Sequence, residues 1–219
     1  MKSDIEVKRI AKEVLKNEAD ALLKLIDYID DDFVKSVQLI FESKGRVVIT
    51  GVGKSAIIAQ TMNSTGTPSI YMHAADAIHG DLGNIQQDDV VICISKSGTT
   101  PEVKVLIPLI KNFGNKIIAI TGNMTSNLAT SADFVLNATI DVEACPNNLA
   151  PTTSTTAQLA IGDALAVCLL NLKSFSSTDF AKYHPGGALG KKLYLRVGEV
   201  ADRNEKPSVK LTDNLKAVI

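Results

Sequence analysis

The residues best placed to do chemistry lie in a few short loops, and the densest is Ser95-Lys96-Ser97-Gly98-Thr99-Thr100-Pro101-Glu102. Four hydroxyls, a glycine and an expected helix start supply O–H and backbone N–H donors that can converge on one anion. Pro101 suits the first helical position and Glu102 the first turn, so a helix should begin there. A plain Ser/Thr-capped turn would use one hydroxyl and leave three without a purpose. No triphosphate-sized glycine loop accompanies the segment. A single phosphate is the expected guest, held by Ser95, Ser97 and Thr100.

Gly51-Val52-Gly53-Lys54-Ser55 is a second candidate. A Walker A loop would need glycine at position 48, which is Val, and no later strand ends in an acidic metal ligand. A dinucleotide fingerprint fails as well: its third glycine position is Ala56, and the second strand ends Tyr71-Met72-His73 without a carboxylate. What remains is a turn that delivers Lys54 and Ser55 to a strand end. Further on, Glu143-Ala144-Cys145-Pro146 and Pro151-Thr152-Thr153-Ser154-Thr155-Thr156 bring a carboxylate and a second hydroxyl cluster to the start of a long helix, where Thr152 and Ser154 would line the same crevice and contact the substrate. His79-Gly80-Asp81 and His184-Pro185-Gly186-Gly187 place two of the three histidines in glycine-containing turns. One loop histidine is commonly structural; two of them beside two carboxylates and a lysine form an acid–base set.

These loops need elements to position them. Ser3-Asp4-Ile5-Glu6 reads as a capping box, followed by helically spaced apolar residues from Ile10 to Ile29 and a second amphipathic helix over Phe33–Glu42. Short apolar runs then appear at Arg46–Thr50, Ser69–Met72, Val90–Ile94, Lys116–Thr121 and Phe134–Asn137, with helical stretches at Glu102–Phe113 and Ser154–Leu172. Alternating strands and helices predict an α/β fold, a parallel sheet sandwiched between helices, with ligands beyond the carboxyl ends of the strands. The loops after strands one, three and five carry the unusual residues.

Composition limits the alternatives. A formal charge of −1 over 219 residues gives no electrostatic footprint for nucleic acid or an anionic membrane. Leu159–Leu172, the most apolar stretch, is too short for a span and carries Asp163, and the charged N-terminus is no signal peptide. Three widely spaced cysteines read as reduced thiols of a soluble cytoplasmic protein.

Taken in order, GVGKS, STGTP, HGDLG, SKSGTTPE, EACPNNLAPTTSTT and HPGGALGKKL resemble the sugar isomerase (SIS) domain of the arabinose-5-phosphate isomerases, the KpsF/GutQ family. The resemblance runs from Leu15 to Leu193. It implies a three-layer αβα sandwich on a five-stranded parallel sheet with flavodoxin-like topology, assembled as a homotetramer. It also implies interconversion of D-ribulose 5-phosphate and D-arabinose 5-phosphate, the first step towards Kdo for lipopolysaccharide or capsule. The family's catalytic Lys, two Glu and His fall on Lys54, Glu102, Glu143 and His184. Substrate contacts are implied for Gly66, Thr67, His73 and His79, with His79 also a site for inhibitory zinc. Relative to the family, the helix after Gln60 is about one turn short. Residues 1–195 read as the SIS domain, with N-terminal helices over 1–45. Residues 196–219 read as a linker and the start of a truncated CBS module.

Moving a carbonyl between C1 and C2 needs a general base and stabilisation of an enediolate oxyanion, and demands neither metal nor redox cofactor. Glu143 is the expected base and Lys54 the cation facing the enediolate, with Glu102 orienting Lys54 or replacing Glu143 as base. His184 or His79 would move protons between oxygens and open the aldose ring. Ser55, Ser95, Ser97 and Thr100 would hold the phosphate. Two rival readings are a non-catalytic phosphosugar-sensing SIS domain and an isomerase of another phosphosugar. CMP-Kdo, whose acidic sugar suits the same donors, is a candidate feedback ligand.

Overall fold

The five apolar runs form one parallel sheet, each strand within one residue of the bounds read from the sequence. They are β1 (Val47–Gly51), β2 (Ser69–His73), β3 (Val90–Ser95), β4 (Lys116–Thr121) and β5 (Phe134–Asn137), in the order β2-β1-β3-β4-β5. The structure, a computed structural model, describes residues 3–194 and residue 212. It divides into two compact units, Met1–Phe175 and Ser176–Ile219. The expected linker and CBS start, 196–219, lies outside the described residues except for Thr212.

In the first unit the helices are α1 (Asp4–Ile26), α2 (Asp31–Glu42), α3 (Ala56–Ser64), α4 (Ala74–Ala77), α5 (Pro101–Asn112), α6 (Asn127–Ser131) and α7 (Thr153–Leu172). Strand side chains alternate between two faces, so each strand feeds two cores. On one face Ile49, Ile92, Ile118 and Ile120 pack with Leu25, Phe33, Ile58, Met62, Ile161 and Leu165, from α1, α2, α3 and α7. On the other, Val48, Val91, Ile117 and Ala119 pack with Val103, Leu106, Ile110 and Leu128, from α5 and α6. Burial on both faces explains why the strands read as continuous apolar runs. Ser3 caps α1 by accepting from the Glu6 N–H at 3.3 Å, where the capping box predicted a helix start.

Two features differ from expectation. α7 is a 20-residue helix, so it is long and apolar enough to cross a membrane by length and composition, contrary to the shorter stretch read from sequence. Its apolar character has another physical reason: Leu165 and Leu169 are fully buried against the sheet core. The short helices α4 and α6 were also not expected, because one or two turns carry no readable period. Leu165→Ala should destabilise the chain by roughly 2–5 kcal/mol, the cost of a lost side chain plus the cavity left behind; a shift of the urea midpoint at unchanged m-value measures it.

The second unit contains α8 (Ser177–Tyr183) and α9 (Ala188–Tyr194). Ser176 and Asp179 close a reciprocal capping box at the start of α8.

Candidate functional site

β1 and β3 are neighbours, but the chain leaves β1 through α3 towards β2 and leaves β3 through α5 towards β4. The two crossovers diverge and open a crevice at the carboxyl edge of the sheet. Residues 52–55 and 96–100 flank it. Neither Ser55, the N-cap of α3, nor Thr100, the N-cap of α5, uses its side chain to cap. Both helices therefore present first-turn N–H groups and the positive end of a dipole to an incoming anion.

The phosphate-type loop is held by its own hydroxyls. Ser95 Oγ bonds Thr100 Oγ1 at 2.7 Å and accepts from the Gly98 N–H at 3.0 Å, while Ser97 Oγ accepts from the Thr99 N–H and hydroxyl. The segment after β4 pins it from outside: the Leu128 N–H donates to Gly98 O and the Gly122 N–H to Lys96 O. Ser95 is buried, whereas Ser97 is exposed and Thr100 half-buried.

Glu143 arrives on the segment after β5 and is 2 % exposed. Its Oε2 accepts from the Thr152 N–H at 2.9 Å, the Thr152 hydroxyl at 3.2 Å and the Ser154 N–H at 3.1 Å. Its Oε1 accepts from the Ser154 hydroxyl at 2.5 Å and from Lys96 Nζ at 2.6 Å. The carboxylate thus caps α7 and is joined through Lys96 to the phosphate-type loop. Burial pushes its pKa up, but the bonds from Lys96, the Ser154 hydroxyl and the Thr152 and Ser154 N–H groups outweigh this and lower it to about 2. The Asn148 side chain in turn accepts from the Glu143 N–H at 2.7 Å.

Lys54 reaches the same turn of α7 from the other side of the crevice. Its Nζ lies 3.3 Å from Thr155 Oγ1 and 3.5 Å from Pro151 O. A hollow of about 210 Å³ lined by Lys54, Ser55, Thr155 and Gln158 continues from there between α3 and α7. The first turn of α7 therefore brings Lys54 and Glu143, 89 positions apart in sequence, to one small region. Glu102 stands half-buried on the first turn of α5, with no side-chain hydrogen bond to another described residue.

Other expected contacts fall elsewhere. Thr152 and Ser154 direct their donors at Glu143 rather than into the crevice; Ser154 is 1 % exposed. Gly66 and Thr67 precede β2, so they lie at the amino edge, roughly 16 Å of strand away from the crevice. There the Thr67 hydroxyl accepts from Lys173 Nζ at 3.0 Å. Neither can line the crevice of its own chain. His73 does end β2 at the carboxyl edge, where its Nδ1 accepts from the Ala75 N–H at 3.3 Å. His79 is exposed in the turn after α4. Among the described residues no three His, Cys, Asp or Glu side chains cluster as metal ligands, so zinc at His79 gains no support from geometry.

His184 belongs to the second unit, where it ends α8 with its ring stacked 3.9 Å from Phe180. Its Nδ1 is 2.9 Å from Phe180 O, and since a carbonyl can only accept, Nδ1 carries a proton in this contact. Sequence reasoning missed Lys96 as a partner of Glu143. The lysine stood in view inside the loop, but nothing in the sequence indicates which residue 47 positions away it will meet. The three cysteines are free thiols, and burial pushes Cys93 up to about 12.

The SIS domain profile matches residues 39–168. The chain is 46% identical over 224 residues to the arabinose 5-phosphate isomerase KdsD of Pseudomonas aeruginosa, covering 100% of this chain and 69% of that protein. The chain belongs to the SIS-domain family. A probable arabinose 5-phosphate isomerase of Haemophilus influenzae is 51% identical over 193 residues, 86% of this chain and 57% of the relative. The chain thus spans roughly three-fifths to two-thirds of the length of such curated relatives. Among solved structures, the Escherichia coli CFT073 protein c3406 in complex with arabinose 5-phosphate is similar, with a TM-score of 0.81 and 38% identity over 84% of this chain and 100% of that one. This SIS-domain chain therefore has the expected α/β sandwich, with its sheet order now known.

Proposed function

We propose that this SIS domain interconverts D-ribulose 5-phosphate and D-arabinose 5-phosphate. The observation that carries the reading is the joining of a phosphate-type loop to a buried carboxylate through Lys96–Glu143 at 2.6 Å, with Lys54 on the same turn of α7. The arabinose 5-phosphate isomerase names of the relatives and the arabinose 5-phosphate bound to the similar structure support the same sugar.

In this reading Ser55, Ser95, Ser97 and Thr100, with the open first turns of α3 and α5, hold the phosphate. Glu143 takes a proton from C1 of the ketose and returns it to C2. The C1–H electron pair forms the C1=C2 bond of the enediolate, and the C2 oxygen takes up the negative charge, which Lys54 stabilises. Glu102, on the first turn of α5, is the alternative base or a group that turns towards Lys54 during the reaction. His184, of this or a neighbouring subunit, or His79 moves the proton from the C1 hydroxyl to the C2 oxygen and opens the ring of the aldose. The ketose cannot close a furanose because its C5 oxygen is phosphorylated.

The proposal extends to supply of arabinose 5-phosphate for Kdo in lipopolysaccharide or capsule, a cytoplasmic location, and feedback by CMP-Kdo, whose acidic sugar suits the same anion donors. The proposed assembly is a homotetramer, to which an apolar groove between α2 and α7, with Val34 (50 %), Val167 (58 %) and Leu172 (49 %) exposed, would offer a face.

The test is incubation with ribulose 5-phosphate and detection of arabinose 5-phosphate. Lys54→Ala should lower kcat by roughly 10²–10³-fold, the scale of removing one preorganised oxyanion partner. Because Lys54 is exposed, its loss should leave the unfolding midpoint nearly unchanged. Saturable binding of the sugar phosphate without turnover would instead mark a sensor.

A further inference from the structure

The Glu143 carboxylate is saturated. Oε1 holds Lys96 Nζ and the Ser154 hydroxyl, while Oε2 holds the Thr152 N–H, the Thr152 hydroxyl and the Ser154 N–H. A carboxylate in that state offers no free lone pair to a carbon-bound proton. Before it can act as a base, one donor has to leave. Four of the five sit on the capping residue and first turn of α7, and Ser154 is 1 % exposed. Withdrawing them would unravel the helix start. The fifth is different: Lys96 has a side chain 46 % exposed, on a flexible stem, and it grows from the phosphate-type loop itself.

We propose that Lys96 is a substrate-operated latch on the base. Its ammonium ties Glu143 down; when a sugar phosphate occupies the Ser95–Thr100 loop, the phosphate takes over that ammonium and frees Glu143 Oε1. The proton abstraction then proceeds as above, with no further group consumed. The base is unmasked only when a phosphorylated substrate is in place, which couples phosphate recognition to chemistry at the other end of the sugar. The latch rests on the isomerase reading.

No other cation on the described residues takes the place of Lys96. Lys54 bonds Thr155 and Pro151 O rather than the carboxylate. On α1, which lines the hollow beside Glu143, Arg9 is paired with Glu13 at 2.5 Å. Lys24 pairs with Asp141. The Cys145 thiol borders the same hollow, and the backbone N–H groups of Ala150, Leu149 and Asn147 hold its pKa low. It contributes at most a negative charge, which cannot pull Glu143 down.

The deciding measurement is a carbon-13 NMR titration of the Glu143 carboxyl in the wild type and in Lys96→Met, with and without inorganic phosphate. In the wild type phosphate should raise the Glu143 pKa by about one unit or more. In Lys96→Met it should already be raised, and phosphate should move it far less. An equal phosphate shift in both proteins, or none in the wild type, overturns the latch. In the isomerase assay Lys96→Met should raise KM for ribulose 5-phosphate roughly tenfold or more, because the phosphate loses a cation, while kcat stays within about threefold. Lys96→Arg should restore much of the KM. A fall in kcat at unchanged KM would contradict the proposal. If the wild type itself does not turn over ribulose 5-phosphate, the isomerase reading fails, and the phosphate arms of the titration still decide the latch separately.

Discussion

Glu143→Gln should cut isomerase turnover by roughly 10²–10⁴-fold, the usual contribution of a positioned general base. It should also cost stability, because an amide cannot accept five donors: its NH₂ would face Lys96 or the N–H groups of α7 and leave buried donors unpaired, at about 1–3 kcal/mol each. The pH dependence separates this from an unspecific packing defect. Glu143 has its carboxyl pKa lowered from 4.5 to about 2 in the folded chain. A carboxylate with a depressed folded pKa contributes stability that is present above the unfolded value and is lost as pH falls through the folded one. The contribution, on the order of 3 kcal/mol, should therefore be complete at pH 7 and fade between pH 4.5 and about 2. Urea unfolding at pH 7 and at pH 3 should show the gap between wild type and Glu143→Gln narrowing in acid. Glu102→Gln serves as the comparison: half-buried and without a side-chain bond to another described residue, Glu102 should leave the urea midpoint unchanged. If Glu102→Gln lost orders of magnitude in turnover while Glu143→Gln kept it, the two carboxylates would exchange roles.

Gly98→Ala should damage the phosphate-type loop as severely. Gly98 has φ +64°, a left-handed conformation that costs an alanine about 1–3 kcal/mol. Space is the larger difficulty. A Cβ at this position would overlap Ser126 Oγ and Cβ and approach Thr121 Oγ1 to 2.9 Å. Ser126 cannot yield freely, since it caps α6 by accepting from the Ala129 N–H at 3.2 Å. The loop would have to lift, breaking the Leu128 N–H bond to Gly98 O. KM for the phosphosugar should rise more than tenfold, a loss of over ~1.4 kcal/mol in phosphate binding. Gly53→Ala provides the control, because Gly53 also has positive φ, +86°, but nothing lies within 4 Å of its Cβ position. It should show the backbone strain alone. A normal KM in Gly98→Ala would remove the loop from the binding site.

Much of this molecule could be read along the chain because the signals are local. A strand buried on both faces has to be a continuous run of β-branched and apolar residues, and so Val90–Ile94 and Lys116–Thr121 declared themselves. A helix start needs Ser, Thr, Asp or Pro at fixed offsets, and so Ser3 and Pro101 were legible. The same locality made the Ser95–Thr100 loop, Lys54 and Glu143 visible as chemistry-bearing residues. Pairings between distant segments carry no such mark. That Thr152 and Ser154 turn to Glu143, that Gly66 and Thr67 sit at the far edge of the sheet and that Lys96 bridges 47 positions to Glu143 all depend on strand order and crossover direction. The sequence by itself determined which side chains could hold a phosphate and move a proton. Only the tertiary structure decided which of them share one site, because in a parallel sheet the two ends of a strand are equally close in sequence yet a full strand length apart in space.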